Sequence, residues 1–218
     1  MAFKRSERVT FFEGFLKHPR QVGSIVPSSR FLERRLVGLA EVKAAQTVVE
    51  LGSGTGGTTR AILGAMMENA KLLSIEVNPL YHAFLRRIRD ARLIPHLGSA
   101  DRLRETISQY GLDGVDAVIA GIPFSTMNRA LASRVVESIL SALVPGGRFV
   151  VYQMLRRVEA LCRPYFGRAR VEVELLNIPP LWVYRWEKNA TPSGNEVPAS
   201  RDARGGLCGK RIPWLTAS

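Results

Sequence analysis

The stretch VVELGSGTGG, residues 48–57, constrains this chain more than any other. A short β-rich run breaks into four glycines within six residues. Such a loop lets the backbone pass close to a ligand at a strand's C-terminal edge and frees the N–H groups of the next helix to meet it. The pattern downstream agrees with a loop of that kind. Strand candidates at Thr47–Leu51, Lys71–Glu76, 91–97, Val115–Ala120 and 148–153 alternate with helical stretches at 57–69, 79–90, 101–109, 126–143 and 155–166. Strand, helix and strand at this spacing predict βαβ units and a doubly wound, mainly parallel sheet. The runs 171–177 and 181–187, split by Pro179-Pro180, read as two more strands in antiparallel sequence. A helix capped by Ser28 or Ser29 and running to about Ala40 precedes the first strand.

The glycines alone leave the ligand open, since Gly52, Gly54 and Gly57 also satisfy the dinucleotide pattern G-x-G-x-x-G. The acids narrow it. Glu50, two residues before the first glycine, suits a ligand with an ammonium group, whereas a pyrophosphate would be repelled. S-adenosylmethionine carries that ammonium; NAD does not. Glu76 ends the second strand, where a carboxylate takes both ribose hydroxyls. In GSADRL, Asp101 stands at the adenine edge with Ala100 beside it, or caps the next helix. The expected cofactor-binding set is Ser24, Glu50, Gly52, Ser53, Gly54, Gly56, Glu76, Val77, Ala100 and Asp101.

After the fourth strand comes GIPFST. This segment is similar to the short Pro-containing turn, often Asn-Pro-Pro-Tyr, of amino-methylating enzymes, which holds an amine in line with the sulfonium methyl. Gly121 stands where the Asn would be, so the side-chain acceptor is missing. Backbone carbonyls, the rigid Pro123 and the ring of Phe124 remain. Gly121, Ile122, Pro123 and Phe124 are therefore the expected catalytic turn, the alternative being a tight turn with a core ring. A methyl bound to sulfonium needs positioning and a desolvated pocket more than a strong base. Tyr152 and Tyr184, at the ends of late strands, are the candidates for lining the acceptor pocket. Ser125 and Thr126 read as helix caps. His18, His82 and His96 are scattered, and no His–Asp–Ser set or metal cluster is visible.

Charge speaks to the partner. With 31 Lys and Arg against 19 acids the chain carries a net +12, a field that favours nucleic acid or an anionic lipid surface. No apolar run approaches the roughly 18 to 20 residues of a spanning helix. Cys162 and Cys208 lack a pairing or metal pattern, and Cys162 reads as buried. Near the start, Phe11, Phe12, Phe15 and Leu16 share one arc of a helical wheel, with Lys4 and Arg8 in the same arc. That pattern fits a helix on a membrane surface or one packed on the core.

On these residues the chain resembles bacterial phospholipid N-methyltransferases of the class I S-adenosylmethionine-dependent superfamily. The likeness covers about residues 10 to 188 and rests on FLKHPRQVGSIVPSS, VVELGSGTGGTTRAIL, SIEVNP, GIPFST and NIPPLWVYR. It implies a Rossmann-like α/β fold with a seven-stranded, mainly parallel sheet, a C-terminal antiparallel hairpin and N-terminal amphipathic helices. The expected layout is membrane-contact and lid helices over 1–40, a methyltransferase core over 41–188 and a flexible basic tail over 189–218. The implied activity is methyl transfer from S-adenosylmethionine to phosphatidylethanolamine and its mono- and dimethyl derivatives, giving phosphatidylcholine and S-adenosylhomocysteine. The implied setting is a cytoplasmic monomer held peripherally at the inner face of the cell membrane. The ribosomal RNA adenine dimethyltransferases have a similar core and suit the same charge. They carry an RNA-gripping helical domain after it, for which the tail is too short.

Overall fold

Parallel strands form here because their residues are apolar on both faces. In β1 (Thr47–Leu51) four of five residues are buried, and in β2 (Lys71–Glu76) five of six. Strands of that kind need cover on each side. The computed structural model describes residues 28–177 and 179–189; the expected N-terminal surface helix, the lid with Ser24, and the tail from 190 lie outside the described residues. β3 (Leu93–Leu97), β4 (Val115–Ala120), β5 (Leu143–Gln153), β6 (Arg170–Glu174) and β7 (Leu181–Glu187) complete a seven-stranded sheet ordered β3-β2-β1-β4-β5-β7-β6. Pairings from β3 through β5 are parallel, while β7 is antiparallel to both β5 and β6. The chain changes direction of travel across the sheet between β1 and β4. Open α/β sheets bind their ligands at the carboxyl ends flanking such a point.

Successive residues of each strand divide between two cores. α1 (Arg30–Leu39) and α2 (Gly57–Ala65) cover the face bearing Val48, Ala117, Ile119, Val150 and Val183. α4 (Leu103–Gln109), α5 (Arg129–Ala142) and α6 (Arg157–Phe166) cover the face bearing Val49, Leu51, Val118, Phe149 and Val151, and α3 (Pro79–Leu85) packs beside β2 and β3. α1 begins where Ser29 Oγ accepts from Leu32 N at 3.2 Å, and it buries the stripe Leu32, Leu36 and Leu39. Its polar side grips the hairpin. Arg35 donates to Glu174 at 2.8 Å and to Glu172 at 2.5 Å, and Ser29 N donates to Asn177 Oδ1 at 3.0 Å. α1 thereby bridges the hairpin turn to α2, where Ser28 Oγ lies 3.4 Å from Thr58 Oγ1.

Three of the elements that differ from expectation do so for local reasons. β5 starts at Leu143 instead of 148, because Gly146 and Gly147 pair with Lys188 through two 2.8 Å backbone bonds. β6 stops at Glu174, because the Asn177 amide turns the chain by donating to Pro179 O at 3.0 Å. α5 is capped by Asn128, which accepts from Leu131 N at 2.8 Å. Ser125 and Thr126 belong instead to a 3-10 turn over Phe124–Thr126. Cys162 is buried as expected, and burial pushes its thiol up to about 12. Among the described residues no helix is long and apolar enough to cross a membrane.

Candidate active site

β1 delivers Glu50 to the face covered by α2, where it is 1% exposed. Its Oε2 accepts from Thr59 Oγ1 on α2 and Ser74 Oγ on β2, both at 2.6 Å. Its Oε1 is buried without a hydrogen-bond partner among the described residues. Loss of water pushes the carboxyl up to about 7, the two hydroxyls pulling the other way. A buried carboxylate oxygen lacking a donor fits a cationic or protic ligand group. Ser74 and Thr59 are additions to the expected set, and a serine inside the apolar run KLLSIE is the sequence signal for the first.

The backbone turns sharply after Glu50. Gly52 has φ +80°, and a Cβ there would lie 2.8 Å from Ile122 Cγ2, so the β1 and β4 ends touch at this residue. Glu76, at the end of β2, closes the loop from the other side. Its Oε2 accepts from Gly54 N at 3.1 Å and Ser53 Oγ at 3.3 Å, and its Oε1 from Val77 N and Asn78 N, both at 2.9 Å. Glu50, Gly52, Ser53, Gly54, Glu76 and Val77 are thus brought together. Gly56 starts α2 with φ +83°. Glu33 of α1 joins them unforeseen: its Oε1 lies 2.8 Å from the place of a Cβ on Gly57, and desolvation raises its pKa. Asp101 lies 3.8 Å from Arg134 of α5, and Ala100 packs on the α4–α6 side.

The turn after β4 differs from its expected role. The Ile122 carbonyl accepts from Gln153 Nε2 at 2.7 Å and Phe124 N at 3.0 Å; the Pro123 carbonyl accepts from Thr126 N at 3.1 Å and Thr126 Oγ1 at 3.0 Å. With both lone pairs engaged, neither carbonyl is ready to receive an amine proton. Phe124 is 5% exposed and meets Phe149 edge-on at 6.4 Å, so its ring is part of the core, as the alternative reading of this turn had it. Tyr184 is fully buried on that same α4–α6 side, stacked on Trp186 at 5.8 Å. Tyr152 faces the opposite side, with Glu50. Of the two tyrosines, Tyr152 is the one that reaches the glycine loop: a Cβ on Gly121 would lie 2.5 Å from its Oη and 3.0 Å from Gly52 O. Gln153, the amide that holds the turn, was also unforeseen; a polar residue ending the apolar run FVVYQ marked it.

Comparison with known proteins adds a relative to this geometry. The chain is 27% identical over 177 residues to an ornithine lipid N-methyltransferase of Singulisphaera acidiphila, covering 80% of this chain and 92% of that protein. No family model matches. Among solved structures, the N-methyltransferase NodS of Bradyrhizobium japonicum superposes with a TM-score of 0.58 at 13% identity, over 75% of this chain and 99% of that one. The 1,6-didemethyltoxoflavin-N1-methyltransferase of Burkholderia thailandensis, solved with its substrate and S-adenosylhomocysteine, superposes with a TM-score of 0.61 at 13% identity, over 87% and 92% of the two chains. These likenesses establish the Rossmann-like methyltransferase fold. Among the described residues no group of three or more His, Cys, Asp or Glu is placed to hold a metal ion.

Proposed function

We propose that this chain transfers methyl groups from S-adenosylmethionine to the amine of a membrane aminolipid. The observation that carries the substrate class is the likeness to a lipid N-methyltransferase over 92% of that relative's length. The cofactor reading rests on the site. Glu50 Oε1, buried and lacking a donor, suits the methionyl ammonium. Glu76 Oε2 suits the ribose hydroxyls, which would take the places of Ser53 Oγ and Gly54 N. When bound, the cofactor supplies a methyl group on a sulfonium centre. The residues around it supply position and exclusion of water, at the junction of the β1 and β4 ends.

Within that class our reading is phosphatidylethanolamine, methylated stepwise to phosphatidylcholine, on the five sequence segments quoted above. The relative's name favours a second acceptor, the free amine of an ornithine lipid. The net charge of +12 suits a protein that works at an anionic surface. The test is incubation with labelled S-adenosylmethionine and anionic vesicles holding either phosphatidylethanolamine or ornithine lipid, followed by chromatography of the lipids. Label in phosphatidylcholine supports our reading, and label only in ornithine lipid moves the substrate to the second acceptor. Label in neither lipid, but in a ribosomal RNA fragment, sinks the aminolipid proposal.

A further inference from the structure

Gly121 has an ordinary backbone, with no positive φ, so nothing in its conformation calls for glycine. Space does. The strand order places β4 between β1 and β5, and Tyr152 of β5 reaches across β4 toward the Gly52 carbonyl at the end of β1. A Cβ on residue 121 would sit 2.5 Å from Tyr152 Oη and 3.1 Å from its Cζ, well inside contact distance. The phenol can cross only because residue 121 lacks a side chain. Its oxygen arrives where the Asn side chain of the amino-methylating turn would begin.

From this juxtaposition we infer that Tyr152 is the hydrogen-bond acceptor that orients the substrate amine, in place of the missing Asn. The inference rests on the aminolipid reading above. Of the turn's carbonyls, those of Ile122 and Pro123 are already filled by Gln153, Phe124 and Thr126. A phenol oxygen has room for three hydrogen bonds. Ser28 and Thr58 engage it from the α1 and α2 side, and residue 121, having no Cβ, sets no side-chain atom against it on the other. Burial holds the phenol protonated by raising its pKa, so Tyr152 acts by direction and not as a strong base. In the transfer, the amine lone pair forms the new carbon–nitrogen bond while the old bonding pair stays on sulfur. The ammonium so formed releases its surplus proton to water.

An amine N–H is needed for this contact, which gives the role a signature. Primary and monomethyl amines have an N–H; the dimethyl amine has none. The experiment compares wild type with Tyr152→Phe on vesicles carrying the primary-amine lipid that wild type methylates, and on vesicles carrying its N,N-dimethyl form. Calorimetry gives cofactor affinity for both proteins. We expect a loss of roughly 10- to 100-fold on the primary amine, near-wild-type transfer to the dimethyl amine, and unchanged cofactor affinity. Equal losses on both amines, no loss on either, or a matching fall in cofactor affinity overturns the assignment. Gly121→Ala, which pushes the phenol aside without removing it, must show the same selectivity, and it decides the matter should Tyr152→Phe fail to fold. If wild type methylates no lipid amine, the aminolipid reading falls and this assignment with it.

Discussion

Gly52 and Gly121 face each other across the junction of β1 and β4, and they are glycine for different reasons. Gly52 holds φ +80°, so its own backbone excludes a side chain before any neighbour is considered; Ile122 Cγ2, 2.8 Å from its would-be Cβ, adds a second objection. Gly121 has no positive φ and is crowded chiefly by a ring that arrives from β5, with the Gly52 carbonyl at 3.0 Å from its would-be Cβ as a lesser contact. The first requirement is local and the second is tertiary. The two glycines therefore differ in what can relieve them.

The largest effect should come from testing that difference by alanine substitution. Gly52→Ala combines a left-handed backbone with a close contact, and about 3 kcal/mol of stability is expected to go. Gly121→Ala should cost about 1 to 2 kcal/mol by crowding alone. Adding Tyr152→Val should restore most of the second loss and none of the first. Denaturant melts of the single and double variants measure this coupling. Additive losses at Gly121 and Tyr152 would show that the ring does not dictate the glycine.

The acid beside Gly52 extends the comparison to pH. Glu50 titrates near 7 when folded against an ordinary 4.5, so the folded protein keeps a proton that the unfolded chain has lost. Stability should then fall as pH rises from about 4.5 to about 7, and Glu50→Gln should flatten that slope. Cofactor affinity should move the opposite way, because the ammonium needs the ionised carboxylate. A drop of about fiftyfold between about pH 7 and about pH 5 follows from a pKa of about 7, as each pH unit below it is about tenfold. Calorimetric titration across that window checks it. Affinity that is flat in wild type removes Glu50 from the ammonium contact. Tyr152→Phe, which removes neither a charge nor one of the hydroxyls bonded to Glu50, should leave the slope in place.

The same local and tertiary division explains what could be read in advance. Glu50, Gly52, Gly54 and Glu76 lie within one βαβ unit, where strand ends, glycine spacing and acid positions are all visible in 27 consecutive residues, 50–76. Six of the seven strands run parallel and the hairpin reverses as expected, because apolar runs and Pro179-Pro180 announce them. GIPFST was harder. Whether Phe124 faces an amine or Phe149, and whether Ile122 O is free or bound to Gln153, depends on β5, some thirty residues on in the chain; both alternatives were compatible with the letters. Tyr152 and Tyr184 look alike in sequence, yet strand alternation and the reversal of β7 put them on opposite faces. The ion pair of Asp101 with Arg134, 33 residues later, is likewise a tertiary contact that the letters do not announce.

Gln153 offers the smallest and most selective break. Its amide is buried and donates to Ile122 O at 2.7 Å, while Phe124 N supplies that carbonyl with a second donor at 3.0 Å. Gln153→Leu removes one donor and leaves the carbonyl partly satisfied, so the expected loss is about 1 kcal/mol and not the larger penalty of an orphaned group. The β1 side of the junction does not use this bond, so cofactor affinity should be unchanged. Gln153→Glu should cost more, since an ionised carboxylate would face the Ile122 carbonyl with acceptor against acceptor, and its deficit should shrink as pH is lowered and the new side chain protonates. Thermal melts at two pH values read both variants. A Gln153→Glu deficit that does not change with pH would mean that residue 153 holds the turn by shape and not by its hydrogen bond.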